Sequence, residues 1–374
     1  MRLAFIKKKF SLYGGAERYM QTLLMQLAKE GHELHIFAHE WTPTDGITIH
    51  TVPIRRTTSY FSTITFARNV ARMVSEAPRF DCVVSFERTI CQDIYRAGEG
   101  VHRAWLDIRS QSEAWHKRLS FKLNPLHHAI LSLERELFLK TPCVIANSEM
   151  VKRQIIEHYE IPPQKIAVIY NGVDLERFRT VPPDRKAELR QKLGLPRAAA
   201  IALYVGSGFR RKGVPHILKA IAKLKKSGVS DIMFVAVGKD RISDYEKCAA
   251  RHGISNRVMF LGPREDVADL YAASDFFILP TLYDPFSNAT LEALACGLPV
   301  ITSKNNGVAE LIENGVHGYV LNNLADTDEL AARMSELAGN YSFMQNTARG
   351  LAERFPIEQT AAGVIGVVKS LRNV

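Results

Sequence analysis

Six short runs of nearly unbroken apolar residues punctuate the second half of the chain: Ala200–Val205, Ile232–Val237, Val258–Leu261, Phe276–Leu279, Pro299–Thr302 and Gly318–Leu321. Between them lie amphipathic stretches of helical period, over His216–Lys226, through Tyr245 and Cys248, near Asp266–Ala273 and near Asn288–Ala295. A strand that is apolar on both faces must be covered on both faces, and strands that alternate with helices join in parallel. The pattern therefore predicts a doubly wound α/β sheet. The first half repeats it less regularly. Arg2–Ile6 reads as a strand, Gly14-Gly15 opens a helix through Met20, Leu23 and Leu27, and Leu34–Ala38, Cys82–Ser85 and Val144–Ala146 are further strand candidates. Two Rossmann-like domains fit the 374 residues, one over 1–178 and one over 179–355, with a terminal helix over 356–374 packing back on the first. Tyr170–Asp174 is the turn entering the linker candidate Thr180–Arg185.

Composition removes several classes. An apolar content of 46% argues against a disordered chain. The longest apolar run, Ala198–Gly206, is about half of what a bilayer crossing needs. Five scattered cysteines without a C-x-x-C pair fit reduced thiols rather than a disulfide or zinc framework. Leu3–Ile6 is too short for the apolar core of an export signal, and Lys7-Lys8-Lys9 follows at once, so a cytoplasmic location is expected. The formal charge of +10 points to an anionic partner: nucleic acid, a phosphorylated small molecule or an acidic membrane surface. Composition does not choose among them.

Three strand-to-helix junctions carry the residues able to do chemistry. Gly14-Gly15-Ala16-Glu17-Arg18 is either a plain turn or a place where helix N–H groups receive an anion. Gly206-Ser207-Gly208-Phe209-Arg210-Arg211-Lys212-Gly213 sets three cations at the carboxyl end of a strand. It reads either as a solvated charge run or as a neutraliser of a leaving diphosphate. Asp284 and Glu292 stand eight positions apart across a third junction. The free N–H groups of Asn288, Ala289 and Thr290 are expected to point into the same space. Carboxylates accept hydrogen bonds from sugar hydroxyls while N–H groups hold phosphate, a combination suited to a sugar diphosphate. The plainer reading places Glu292 where the helix dipole favours an acid. Asp326-Thr327-Asp328 could pair on a metal, but its place at a helix start reads as capping.

Taken jointly, these motifs resemble one family. The Gly14–Arg18 turn, Asn147-Ser148 after a strand, Asn171-Gly172-Val173-Asp174, Arg211-Lys212-Gly213, and Asp284-x7-Glu292 followed by Cys296-Gly297-Leu298-Pro299-Val300 look like the retaining, GT-B-fold glycosyltransferases of family 4. The loop Gly206–Gly213 and Arg96-Ala97-Gly98-Glu99-Gly100-Val101-His102 stand nearest to its lipopolysaccharide-core glucosyltransferases. Two positions depart from the family pattern. Asp284 stands where Glu is usual, one methylene shorter, and Ser207 stands where many relatives carry Arg, which leaves the phosphate charge to Arg211 and Lys212.

The resemblance implies two Rossmann-like domains facing across a cleft that holds a nucleotide-sugar, UDP-glucose by the nearer likeness. The catalytic group it implies is Arg211, Lys212, Asp284, Glu292 and Glu99. Glu292 would hold the ribose, Asp284 the donor sugar, and Gly14, Gly15, Ser207, Asn288, Ala289 and Thr290 the rest of the donor. Glu99, His102 and Asn171 are candidates for acceptor or donor-sugar contacts. Fixed cations take the place of a metal, so no metal and no cofactor are expected. Transfer proceeds with retention on the front face, the departing phosphate oxygen helping to deprotonate the acceptor. The implied acceptor is a glycolipid, the heptose region of a lipopolysaccharide core, met at the inner face of the cytoplasmic membrane.

From Arg103 to His128, cations alternate with aromatic residues. Arg103, Trp105, Arg109, Trp115, Lys117, Arg118 and Lys122 fit either an anionic membrane surface, with Lys7–Lys9 adding to it, or a solvated face. Other readings are the same chemistry with another UDP-hexose and another glycan or lipid-linked acceptor, and an inactive regulator that binds sugar nucleotides. A nucleic-acid-binding protein is disfavoured, because the cations sit at strand ends opposite carboxylates and no nucleic-acid module is present.

Overall fold

A computed structural model of the chain describes residues 1–9, 15–55, 58–113, 123–228 and 231–372. It forms two compact units, Met1–Asn171 with Ile357–Val374, and Gly172–Pro356.

The sheet of the first unit is built from β1 (Arg2–Ile6), β2 (Glu33–Ala38), β3 (Ile47–Thr51), β4 (Cys82–Ser85), β5 (Ile94–Arg96), β6 (Cys143–Ala146) and β7 (Ile166–Val168). The strands are parallel throughout, in the order β3-β2-β1-β4-β5-β6-β7. Period-two alternation splits β1 between two cores. Leu3 and Phe5 pack with α1 (Gly15–Lys29) and the terminal helix, through Met20, Leu23, Leu27, Ala361 and Val364. Ala4 and Ile6 pack on the other face with Phe66 and Val70 of α2 (Ser59–Glu76). Three more helices serve the β5–β7 side: α3 (His102–Ser112), α4 (Pro125–Lys140) and α5 (Glu149–Tyr159). The Asn147-Ser148 motif opens the last of these, Ser148 Oγ accepting from the Val151 amide at 3.2 Å as an N-cap.

The second unit opens with α6 (Pro183–Lys192). It continues through β8 (Ala200–Val205), α7 (Val214–Lys226), β9 (Ile232–Val237), α8 (Ile242–Arg251), β10 (Val258–Gly262), α9 (Val267–Ala272) and β11 (Phe276–Leu279). Then follow α10 (Asn288–Ala295), β12 (Val300–Ser303), β13 (Gly318–Leu321), α11 (Thr327–Asn340) and α12 (Gln345–Ala352), and the chain returns to the first unit as α13 (Ile357–Arg372). The sheet order is β10-β9-β8-β11-β12-β13, again all parallel. This unit begins at Gly172, somewhat before the expected boundary at 178, because the Val173 amide donates to Phe355 O at 2.9 Å and Phe178 packs edge-on against Tyr271. Asp326 caps α11, accepting from the amides of Asp328 and Glu329, while Asp328 pairs with Lys223. Among the described residues no helix is long and apolar enough to cross a membrane.

One buried acid fixes α6 to the sheet. Asp275, 2% exposed, accepts from Lys186 Nζ, from Arg190 and from the Ile201 amide. Arg190 also donates to Ala273 O and Arg197 O, so its guanidinium is well used. Removing one member of such a pair leaves a buried charge short of its partner, at a cost of about 3–5 kcal/mol. Arg190→Ala is expected to lower the unfolding free energy of the second unit by that order, read from its urea midpoint.

Candidate functional site

In a doubly wound sheet, ligands bind beyond the carboxyl ends of the two strands from which the winding reverses. In the second unit those strands are β8 and β11. The loop after β8 carries the cations and the loop after β11 carries the first acid. They are laced together: the Leu282 amide donates to Arg211 O at 2.8 Å, and Arg211 Nη1 donates to Tyr283 O at 2.6 Å. Lys212 Nζ then stands 3.2 Å from Asp284 Oδ2. Gly213 makes this approach possible. Its φ of +87° is left-handed, and a Cβ there would lie 1.9 Å from Pro280 O. The glycine of Arg-Lys-Gly is thus required by backbone contact between the two loops.

Asp284 is also held by its backbone, donating to Asn305 O and accepting from the Gly307 amide, each at 2.9 Å. Three residues later comes Ser287, the N-cap of α10. Its hydroxyl accepts from the Thr290 amide, and its own amide donates to Asn306 Oδ1 at 3.1 Å. Asn306 is buried and also donates to the hydroxyls of Thr290 and Thr302. These bonds correct one expectation. The Thr290 N–H is taken by the cap and the Thr290 side chain is fully buried, so of the three amides at this helix start only those of Asn288 and Ala289 belong to half-buried residues. Glu292 lies a turn further on, where Tyr271 donates to its Oε2 at 3.0 Å.

The cation loop is anchored from a third side. Ser207 Oγ accepts from the Lys239 amide at 3.2 Å, and the Phe209 amide donates to Asp240. A Cβ on Gly238 would lie 2.1 Å from Gly206 O, so this contact too admits only glycine. Ser207 therefore links two loops through its hydroxyl. Sequence reasoning missed Asp240, Tyr271, Ser287 and Asn306. A serine just before a helix is a signal that reveals Ser287, whereas the other three follow no local rule.

In the first unit the winding reverses between β1 and β4, and charges of both signs gather there. Lys7 is buried, with Nζ 3.0 Å from Glu87 and 3.0 Å from Glu99. Arg88 pairs with the other Glu99 oxygen at 3.0 Å and with Glu134 at 3.1 Å. Lys7 is thus an interior cation rather than part of an outward basic patch, and Lys9 pairs with Glu40 at 3.4 Å. Desolvation pushes the Glu99 carboxyl up, but the charges of Lys7 and Arg88 prevail and hold it well below the usual carboxylate range. Glu134, wholly buried, accepts from the His102 and Arg103 amides that begin α3 and from the Tyr159 hydroxyl.

His102 lies in reach of this network. Burial, and after it the Arg88 charge, lowers its imidazole to about 4. It is therefore neutral at pH 7 and shares a 3.0 Å hydrogen bond with His127. Asn171 is buried and accepts from Arg96 Nη2 at 2.6 Å, while Arg96 lies over the Tyr19 ring, 4.8 Å from its centroid. On α3, Arg103 pairs with Asp107 at 3.5 Å and Arg109 with Glu113 at 3.7 Å, and Arg109 lies over the Trp105 ring. Gly15 is the first residue of α1. Gly14, Trp115, Lys117, Arg118 and Lys122 lie outside the described residues.

The His102 environment fixes a pH response. The unfolded chain takes up this proton near 6.5 and the folded chain only near about 4. Folding stability is therefore expected to fall as pH drops through that interval, and to be indifferent to this group above it. A proton-NMR titration is expected to place the His102 midpoint near about 4, and to move it upward in Arg88→Met.

Comparison with known proteins accounts for both units. A Glycosyltransferase Family 4 model matches residues 13–177, and a Glycosyl transferases group 1 model matches residues 185–352. The chain is 26% identical over 326 residues to the lipopolysaccharide glucosyltransferase WaaG of Escherichia coli K12, covering 86% of this chain and 85% of the relative. A crystal structure of WaaG superimposes with a TM-score of 0.86 at 23% identity, covering 98% of this chain and 99% of that one. A D-inositol 3-phosphate glycosyltransferase of Streptomyces bingchenggensis is 32% identical over 60% of this chain, which spans about half (52%) of that relative. HepE from Anabaena, solved with UDP and glucose, aligns with a TM-score of 0.75 at 22% identity over 99% of this chain and 100% of that one. With one family model on each unit and this likeness in fold, the chain belongs to the glycosyltransferases of the family 4 and group 1 type and has the GT-B fold.

Proposed function

We propose that the enzyme transfers glucose from UDP-glucose, with retention, to the heptose region of a lipopolysaccharide core at the inner face of the cytoplasmic membrane. The observation that carries the donor half is the pairing of Lys212 with Asp284 and the anchoring of Arg211 on Tyr283 O beyond the carboxyl ends of β8 and β11, with Glu292 on the helix that follows. Two cations there neutralise the charge that develops on a departing diphosphate, and hydrogen-bonded acids accept from ribose and sugar hydroxyls. With that charge supplied by fixed side chains, we propose that no metal takes part. Asp284 contacts the donor sugar, Glu292 the ribose, and the amides of Asn288 and Ala289 the phosphates. The donor assignment draws on HepE, solved with UDP and glucose. The acceptor assignment draws on WaaG, a lipopolysaccharide glucosyltransferase similar over most of its length.

In the first unit, Glu99 and neutral His102 line the acceptor side. Glu99 is held ionised by Lys7 and Arg88, and accepts from an acceptor hydroxyl. The departing phosphate oxygen takes the acceptor proton as the new bond forms on the same face. The inositol-phosphate relatives supply a second acceptor class, a phosphorylated polyol, on the same donor chemistry.

The donor test is release of nucleoside diphosphate from a panel of nucleotide-sugars with EDTA present. UDP-glucose is the expected substrate, with losses of about 100–1000-fold in kcat for folded Lys212→Ala and a comparable defect in Glu292→Ala. Activity confined to GDP- or ADP-sugars overturns the UDP-glucose assignment, and dependence on added metal overturns the metal-free one. The membrane assignment is tested by liposome flotation: recovery is expected with anionic vesicles and not with neutral ones, and equal recovery removes it.

A further inference from the structure

Helix α10 is buried along its length except for one strip. Of its residues, only Asn288, Ala289 and Glu292 keep partial exposure, at a spacing that puts them on one face. Glu292 is the acid of that strip, and it is gripped from the buried side. Tyr271, fully buried on α9, donates its hydroxyl to Glu292 Oε2 at 3.0 Å, with Ala289 O at 3.1 Å. A phenol has one hydrogen to give. A carboxylate draws it more strongly than a helix carbonyl that already serves the backbone ladder.

The ring that carries this hydroxyl is wedged in place. It stands edge-on to Phe178, with centroids 5.8 Å apart, and tilted against Phe277 of β11 at 5.9 Å. Close packing holds such a ring in one rotamer, so its hydroxyl is a fixed point to which Glu292 is tied. Glutamate has three rotatable side-chain bonds, and a ligand that engages a loose one loses affinity to the ordering. Here that ordering is done before any ligand arrives. The fold needs the hydroxyl far less. A phenylalanine ring fills the same space, and a half-buried Glu292 released from the phenol turns to water.

We propose that Tyr271 is a positioning residue for the nucleotide ribose, holding Glu292 by Oε2 so that its carboxylate stands ready for the 2′ and 3′ hydroxyls. The pair is then the device by which the enzyme tells a ribonucleoside diphosphate from its deoxy counterpart. Part of that selectivity resides in a side chain that never touches the ligand. This inference rests on the assignment of Glu292 to the ribose made above.

The test measures binding of UDP, 2′-deoxy-UDP and 3′-deoxy-UDP by calorimetry to wild type, Tyr271→Phe, Glu292→Ala and the double variant, with the Tm of each free protein. Wild type is expected to bind the deoxy nucleotides about 10-fold more weakly than UDP, the scale of a hydrogen bond to a charged group. Tyr271→Phe is expected to bind UDP about 3–10-fold more weakly, and its ratio of UDP to deoxy-UDP affinity to shrink to about 3 or less. Its Tm is expected to drop by no more than about 4 °C. In the Glu292→Ala background, where nothing is left to position, the same substitution is expected to change UDP affinity by less than about 2-fold. A hydroxyl with a merely structural role weakens all three ligands alike. An unchanged ratio in Tyr271→Phe therefore overturns the proposal, and so does a full effect in the Glu292→Ala background. A Tyr271→Phe protein that melts far lower or fails to fold overturns it as well, because the fold then requires the hydroxyl. Wild type that binds UDP and both deoxy nucleotides equally defeats instead the ribose assignment of Glu292, and wild type that binds none of them defeats the donor reading.

Discussion

The contact between Lys212 and Asp284 depends on a backbone approach that only glycine permits. Two loops leave neighbouring parallel strands on opposite sides of the point where the winding reverses, and each would ordinarily turn away over its own helix. With Pro280 O where a Cβ of residue 213 would stand, the loops close on each other. The Arg211 carbonyl and guanidinium then lock to Leu282 and Tyr283. The rest of the site is arranged around that closure: a cation held against an acid, with Ser287 capping α10 and Glu292 a turn further along it.

The two units use charge differently. At the winding reversal of the first unit, acids and bases alternate in a chain from Glu87 through Lys7, Glu99 and Arg88 to Glu134. Most members have more than one partner, and Glu134 accepts from two amides and a phenol besides Arg88. Such a network presents a fixed surface of oriented hydrogen-bond groups with little net charge, suited to reading hydroxyls. In the second unit Arg211 donates to a carbonyl and Lys212 meets one carboxylate, so positive charge remains for an anionic ligand.

Much of this was legible in the sequence because the second sheet announces itself. Its six strands are apolar on both faces and are separated by helices of clear period, and all six stand where the pattern predicts. The first unit was harder to read for physical reasons. β3 is a half-exposed edge strand, β5 has three residues and ends on the buried Arg96, and β7 is equally short, so none shows the period on which the reading depends. In the second unit's site, the residues named in advance are those at strand-to-helix junctions, where a glycine turn, a charge or a helix start marks the place. Asp240, Tyr271 and Asn306 were invisible because their roles arise from contacts far along the chain. Thr290 was misassigned because a free amide was inferred from helix geometry before its cap was known. The run Lys7–Lys9 reads as outward-facing charge, whereas Lys7 is buried between Glu87 and Glu99, partners far along the chain.

Satisfaction of hydrogen bonds separates structural from exchangeable charge in this molecule. Asp275 accepts from Lys186, Arg190 and a backbone amide, and its side chain is 3% exposed. No incoming ligand could offer it a better set, and disturbing any member leaves an uncompensated interior charge. Asp284 is nearly as deep, its side chain 11% exposed, yet among the described residues its carboxylate answers to Lys212 alone. One bond can be traded for another of equal strength at little cost, provided a replacement donor is at hand. Completeness of coordination, more than depth, therefore distinguishes the buried carboxylate that holds the fold from the one whose single bond is open to exchange.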